Sequence, residues 1–501
     1  MDMSDQILKD LQLFQPETTL TIALLLAILA DLIFRRSKRV VPFLTMAGFV
    51  AAFVVLLPQF GVNASVFGNM IAVDSFAFFF KLIILLSAVL IVVFSLSSVE
   101  LNSPGRRLGE YYALLIALTL GMMLMAGASN LLMMYLALEL SSITSYILTG
   151  YTREAQDSSE SSLKYVIYGA FSSGLMLYGI SIIYGMTGSL DIYTINKVLA
   201  AGNFNSLVLL IAGTLALAGF GYKISAVPFH FWTPDVYEGA PITITAFLSV
   251  ASKAGGFAMM IRFFKVTFID TSVVTLDVGK WASLQGFEWY HLVAALSVLT
   301  MTLGNLVALW QHNLKRLLAY SSIAHAGYML MGVVVLSNEG LAAILVYFVV
   351  YLFMNLGAFY IVMLIANKTG SEDIEDYKGI GQKAPFVTVA FAIFLVSLTG
   401  LPPTAGFIGK LYLFSALLDG GWIWLAVVGA MNSVISLYYY VKIFRNMYLR
   451  SSDRTEKFVL DFSYPQKLVV FVLLFPTLLF GLYFTPLVQF AQASIKIFGT
   501  P

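Results

Sequence analysis

The 501-residue chain contains no cysteine, so disulfides, thiolate zinc sites and cysteine-ligated iron–sulfur clusters are excluded from it. Charge is scarce too: Asp, Glu, Lys and Arg make up 11% of residues against 59% hydrophobic, with a mean hydropathy of +0.87. So little polar surface cannot cover a water-soluble globule, and the composition is that of a polytopic membrane protein with the lipid bilayer as its first partner. No segment reads as a strand and no glycine-rich phosphate loop follows one, which leaves nucleotide chemistry outside this chain. Nothing points to a nucleic acid, and the net charge of +2 carries no message.

What is present is a series of apolar blocks beginning near Leu20, Pro42, Phe76, Tyr111, Leu131, Leu163, Ser206, Pro241, Leu292, Leu317, Leu341, Pro385, Trp422 and Leu468. Each is close to the roughly 20 residues a spanning helix needs, which predicts about 14 transmembrane helices. Runs such as LVLLIAGTLALAGFGY are continuous rather than alternating, so the fold class is all-α and not a barrel. The N-terminal MDMSDQILKDLQLFQPETT is acidic and lacks a basic leader, so the first span is expected to be retained. Basic clusters at Arg35, Arg36, Lys38 and Arg39, at Arg106 and Arg107, at Lys315 and Arg316, and at Lys442, Arg445, Arg450, Arg454 and Lys457 fall on one side. By the positive-inside rule both termini then lie outside the cytoplasm. The exception is RFFKVTFIDTSVVTLDVGK, read as an outer loop carrying Arg262, Lys265 and Lys280.

Against this apolar background stand Glu139, Lys164, Lys223, Lys253 and Lys410. Each unpaired charge at bilayer depth costs about 2.5–3.5 kcal/mol, so such residues mark a path for protons or cations. Their placing divides the chain into three N-terminal helices (1–109), a five-helix repeat (110–266), a second five-helix repeat (288–449) and a C-terminal loop with the last helix (450–501). A repeat with an odd number of spans restarts from the other side of the membrane, so the pair is inverted. The fourth helix of each repeat carries a lysine beside helix breakers: Lys223 in GFGYKISAVPFHFW and Lys410 in GLPPTAGFIGKLY. Proline and glycine there free backbone carbonyls, tolerated in a membrane only where protein or cavity water satisfies them. The second helices supply Glu139 (YLALELSSITSYI) and His325 (AYSSIAHAGYML).

Glu139 lies too deep to reach water and needs a partner, most plausibly a lysine. Lys253, in FLSVASKAGGF, has small neighbours that permit close helix approach. Lys164 lies near a helix start, where an interfacial and an inward-facing role are both open, and Lys81 is expected to snorkel to the outer interface. His230, after Pro228, suits either proton relay or the capping of freed carbonyls. A haem held by His312 and His325 is rejected, because His312 falls in the loop before Lys315 and Arg316.

The stretches GFGYKISAVPFHFWTPDVYEGAP, ASKAGGF, NLVALWQHNLKRLLAYSSIAHAGYML and LTGLPPTAGFIGKLYLF resemble the antiporter-like subunits of respiratory complex I, and the resemblance covers almost the whole chain. Among these subunits the wording resembles subunit N, called subunit 2 in mitochondria and with homologues in cyanobacteria and plastids. TPDVYEGAP stands where subunits L and M usually read LPDAMEGPTP, Lys253 where they carry histidine, and Lys410 where M carries glutamate. Subunit L is further disfavoured because no long lateral helix follows the last span.

The resemblance implies a subunit in the membrane arm of an NADH (or ferredoxin):quinone oxidoreductase, with no redox centre or cofactor of its own. FMN, iron–sulfur clusters and quinone are expected in other subunits. The expected partners are M and L, the small subunits K, J, A and H and, through them, the peripheral redox arm. It also implies that Glu139 pairs with Lys223, that protons pass through Lys253 and that Lys410 takes part in release. Lys164, His230 and His325 complete the expected proton-transfer set. A bacterial inner membrane is the expected location, with thylakoids second. A subunit of a multisubunit Na+/H+ antiporter or membrane-bound hydrogenase, or a non-pumping scaffold, are the alternatives.

Overall fold

The structure, a computed structural model, describes residues 3–34, 39–103, 108–202, 204–275, 279–451 and 460–500. Arg35, Arg36, Lys38, Arg106, Arg107, Arg454 and Lys457, which carry much of the orientation argument, lie outside the described residues. Among the described residues, 13 helices are long and apolar enough to cross a membrane, from Gln15–Ile33 to Tyr464–Leu482. One further crossing is split into Pro385–Thr399 and Ala405–Asp419, which together with the 13 matches the expected count. An additional amphipathic helix, Met3–Leu13, precedes the first span.

The expectation of no strands is corrected by two short antiparallel hairpins, Ala64–Val66 with Ile71–Val73 and Ile269–Thr275 with Lys280–Ser283. Both occupy loops between spans, where hydrogen bonds to a neighbouring strand satisfy backbone that the helices leave unpaired.

The centre of the molecule is formed by Ile242–Thr267, Leu314–Val334 and Asn338–Thr369, nearly all of whose residues are buried. Gln15–Ile33 and Tyr464–Leu482 lie at the periphery with exposed apolar faces, as lipid contact requires. Small residues let the backbones meet. A Cβ at Gly304 would lie 2.7 Å from the Ala324 nitrogen, and one at Gly327 would lie 2.5 Å from that of Met301.

The two groups of five helices repeat local detail. Gln156–Thr187 and Asn338–Thr369 each have 32 residues and end on a left-handed glycine, Gly188 or Gly370. There the sequence reads Thr-Gly-Ser-Leu-Asp-Ile in one and Thr-Gly-Ser-Glu-Asp-Ile in the other. Asp191 and Asp373 then form a bridge to Asn130 and Asn313, the residues that cap the second helix of their own group. Five crossings separate Asn130 from Asn313, so the two equivalent turns lie on opposite faces.

Three expectations about charges are overturned. Arg262 and Lys265 are not in a loop, because the apolar run stays helical to Thr267. Arg262 is fully buried and forms a bidentate pair with Asp74 at 2.7 and 2.9 Å, while the Lys265 ammonium sits 3.9 Å over the Trp281 ring. The outer exception to the positive-inside count thus loses two of its three free charges. Lys81 does not snorkel: its ammonium is 2.6 Å from Glu17, both side chains 1% exposed, because the first span brings a carboxylate against it inside the bundle.

Candidate functional site

The helix Ser206–Ile224 stops at Ser225, which adopts a left-handed conformation, and Pro228 cannot donate to the Ile224 carbonyl four residues back. The backbone is resupplied from outside: Val227 N–H donates to Thr300 Oγ1 at 3.0 Å, and Trp232 Nε1 donates to the Tyr222 carbonyl at 3.0 Å. Lys223 therefore sits in the last turn before the break, fully buried, with its Nζ 3.3 Å from Ser142 Oγ. Glu139 lies one turn before Ser142 on the same helix and is half-buried. Among the described residues no ion pair within 4.0 Å joins Glu139 to Lys223, and Ser142 holds the ammonium instead.

Lys253 follows a widened helical turn over Leu248–Ser252, a feature that re-aims the side chains after it. Its Nζ donates to the Ser322 carbonyl at 2.6 Å and to Ser322 Oγ at 3.0 Å. Gly256 brings this helix onto Lys223, whose Cγ would lie 3.3 Å from an added Cβ. His325, one turn beyond Ser322, lies 2.6 Å from the Tyr347 hydroxyl through Nδ1 and 3.4 Å from that of Tyr440 through Nε2. Tyr440 in turn shares a 2.5 Å hydrogen bond with Ser321.

The second break follows the same physics. Pro385–Thr399 ends on left-handed Gly400, and Pro403 has no N–H for the Thr399 carbonyl. Lys410 takes that carbonyl at 2.7 Å, adds Ser433 Oγ at 3.1 Å, and lies 4.5 Å over the Tyr328 ring. Gly400 is required there, since a Cβ would fall 2.7 Å from Lys410 Cδ. Lys223 precedes its break and Lys410 follows its own. Aligned on Pro228 and Pro403, Lys410 falls opposite Asp235.

Asp235 belongs to a different setting, at the ends of the helices. It pairs with Lys164 and Arg316, each at 2.7 Å; Arg316 also pairs with Glu238 at 2.7 Å and Lys164 with Glu160 at 2.8 Å. These groups line a polar cleft of about 220 Å³. Partial burial pushes the Asp235 carboxyl up, but hydrogen bonds and charge from Lys164 and Arg316 outweigh it and hold the group below the usual carboxylate range. Lys164, 39% exposed, is thus at the rim and not in the buried line. His230 is buried beside Phe231 and its Nδ1 has no hydrogen-bond partner, so the structure does not join this ring to the line of lysines.

Sequence reasoning missed the partners: Ser142, Ser322, Ser433, Tyr328, Tyr347 and Tyr440. Hydroxyls three residues after Glu139 (Ser142) and three before His325 (Ser322) were the available signal. Their chemistry suits proton transfer. A hydroxyl accepts from an ammonium and donates to a neutral amine, so these lysines keep a partner in either protonation state, as a carboxylate would not allow.

Two groups of five helices around a half-buried carboxylate and a buried set of three lysines and a histidine define an antiporter-like membrane subunit. The family model for the transmembrane region of NADH:quinone oxidoreductase and Mrp antiporter subunits matches residues 128–436. NADH-quinone oxidoreductase subunit N 2 of Chloroherpeton thalassium is 51% identical over 97% of this chain and 94% of its own length, and subunit N of Chlorobium chlorochromatii is 47% identical over 97% and 95%. A chain in the structure of respiratory complex I from Thermus thermophilus with bound aureothin superposes with a TM-score of 0.77, at 29% identity over 95% of this chain and 98% of that one. The chain belongs to the NADH-quinone oxidoreductase subunit N family.

Proposed function

We propose that this chain is a proton-translocating membrane-arm subunit of a complex I-type NADH:quinone oxidoreductase. Protons move along Glu139, Lys223, Lys253, His325 and Lys410, with Lys164 and Asp235 at the uptake rim on the cytoplasmic side and His230 beside the first break. The observation that carries the reading is the pairing of Lys223, Lys253 and Lys410 with hydroxyls and carbonyls rather than counter-charges. A buried amine without a carboxylate is poised to give up its proton. A displacement of Glu139 toward Lys223 restores the charged form, so a neighbouring subunit that moves Glu139 by a few ångströms drives the transfer. FMN, iron–sulfur clusters and quinone belong to other subunits of the complex. The partners are the antiporter-like M and L and the small subunits K, J, A and H, in a bacterial inner membrane.

The test is proton pumping against quinone reduction in membrane vesicles. Lys223→Ala and Glu139→Ala are expected to lose pumping while the complex remains assembled; unchanged pumping in both leaves the chain a scaffold. An inert scaffold also predicts that replacing charged groups in pairs by apolar residues is tolerated.

A further inference from the structure

Asn305 is a fully buried carboxamide in the last turn of Trp289–Ala308, where an apolar residue would bring no polar group to satisfy, yet all its polar groups are engaged. Its Nδ2 donates to the Tyr328 hydroxyl and to Asn432 Oδ1, both at 3.2 Å, and its Oδ1 accepts from the Tyr439 hydroxyl at 3.0 Å. Asn432 is anchored in turn, donating to Thr302 Oγ1 at 3.1 Å and to the Val428 carbonyl at 3.0 Å. Gly304 and Gly327 allow the backbone approach that sets Asn305 beside Tyr328. The ring it holds is the one beneath the Lys410 ammonium, and the other phenol it holds lies tilted at 55° against Tyr440, the neighbour of His325, with ring centroids 4.4 Å apart.

We propose that Asn305 is a positioning residue that clamps the Tyr328 ring under Lys410 and couples it, through Tyr439 and Tyr440, to His325. The inference rests on the proton-translocation reading above. One of the amide's three hydrogen bonds holds the Tyr328 hydroxyl while the other two, with Asn432 and Tyr439, fix the amide itself, and a cation–ring contact decays once the ring swings away. Without the clamp Lys410 keeps the Thr399 carbonyl and Ser433 but loses its aromatic face.

The experiment compares the proton-to-electron ratio in vesicles carrying the whole complex with Asn305→Leu, Asn305→Gln, Tyr328→Phe or Lys410→Ala. Leu conserves volume and loses the amide; Gln conserves the amide and disturbs the packing. The expected result is a ratio lowered at least twofold in Asn305→Leu and Tyr328→Phe, and recovered to at least half of the parent value in Asn305→Gln. Leu performing as well as or better than Gln marks a packing role and overturns the proposal. Should Asn305→Leu fail to assemble, Tyr328→Phe decides, because it deletes only the clamped hydroxyl; a normal ratio there overturns the proposal. Lys410→Ala separates the two claims. Full pumping in Lys410→Ala sinks the functional reading and this inference with it, whereas lost pumping in Lys410→Ala with normal pumping in Asn305→Leu sinks the inference alone.

Discussion

Asp74→Asn isolates one charge inside the bundle and tests whether the interior is as dry as its packing indicates. Asp74 receives both guanidinium nitrogens of Arg262 and caps Ser75–Ser97 by accepting from Ala77 at 2.7 Å, while its second oxygen also accepts from the Phe498 N–H at 2.8 Å. Neither side chain is more than 1% exposed. Asparagine preserves shape and one cap acceptor but leaves Arg262 with the Ala126 carbonyl at 3.3 Å and the Phe76 ring at 5.6 Å. An uncompensated buried charge of this kind costs about 3–5 kcal/mol. Arg262→Met is milder, about 1.5–3 kcal/mol, since the Asp74 carboxylate keeps two backbone donors. The double variant Asp74→Asn/Arg262→Met restores neutrality and costs about 0–2 kcal/mol, less than Asp74→Asn alone. The assay is the temperature at which vesicles lose half their quinone reductase activity irreversibly, read beside the amount of assembled complex. The expected order of loss is Asp74→Asn first, then Arg262→Met, then the double variant. If Asp74→Asn matches or outlasts the double variant, Arg262 reaches water and the sealed-interior argument fails.

The same logic applies to Glu17 and Lys81: either single neutralisation is expected to reduce the assembled subunit several-fold on immunoblots, and Glu17→Leu/Lys81→Met to restore most of it. Gly400→Ala meets both a φ of +88° and the Lys410 side chain, so it is expected to cost about 1–3 kcal/mol and to depress pumping more than quinone reduction, seen in the proton-to-electron ratio. The Asp235 carboxyl is held below its unfolded value, so its stabilising effect is complete above the ordinary carboxylate pKa and is lost as pH falls through the folded one. Asp235→Asn is therefore expected to leave the shape of the activity profile between pH 6 and pH 8 unchanged while lowering its height, and a new titration in that window would contradict the assignment.

The spans and the lysines were legible because each depends on local composition. A lysine inside an apolar run and a proline four residues after a carbonyl announce themselves without any partner. What the sequence withheld was pairing across distance. Asp74 looks like an ordinary helix cap until Arg262, 188 residues away, is brought beside it. Glu17 looks like a first-turn carboxylate until Lys81 faces it. The serines were hidden for a different reason: hydroxyls in membrane helices commonly bond their own backbone, as Ser145 and Thr149 do here, so only the three-residue spacing from Glu139 and from His325 sets Ser142 and Ser322 apart. The breaks show the limit most clearly. A lysine beside each break makes the halves look equivalent, yet seven residues past the proline one half has Asp235 at an open cleft and the other has Lys410 buried over an aromatic ring. The repeated backbone thus presents a carboxylate to the aqueous rim in one half and an amine to the interior in the other. The two halves are therefore chemically unlike at one backbone position, and on the proton-translocation reading proposed above that difference gives the two ends of the path different groups.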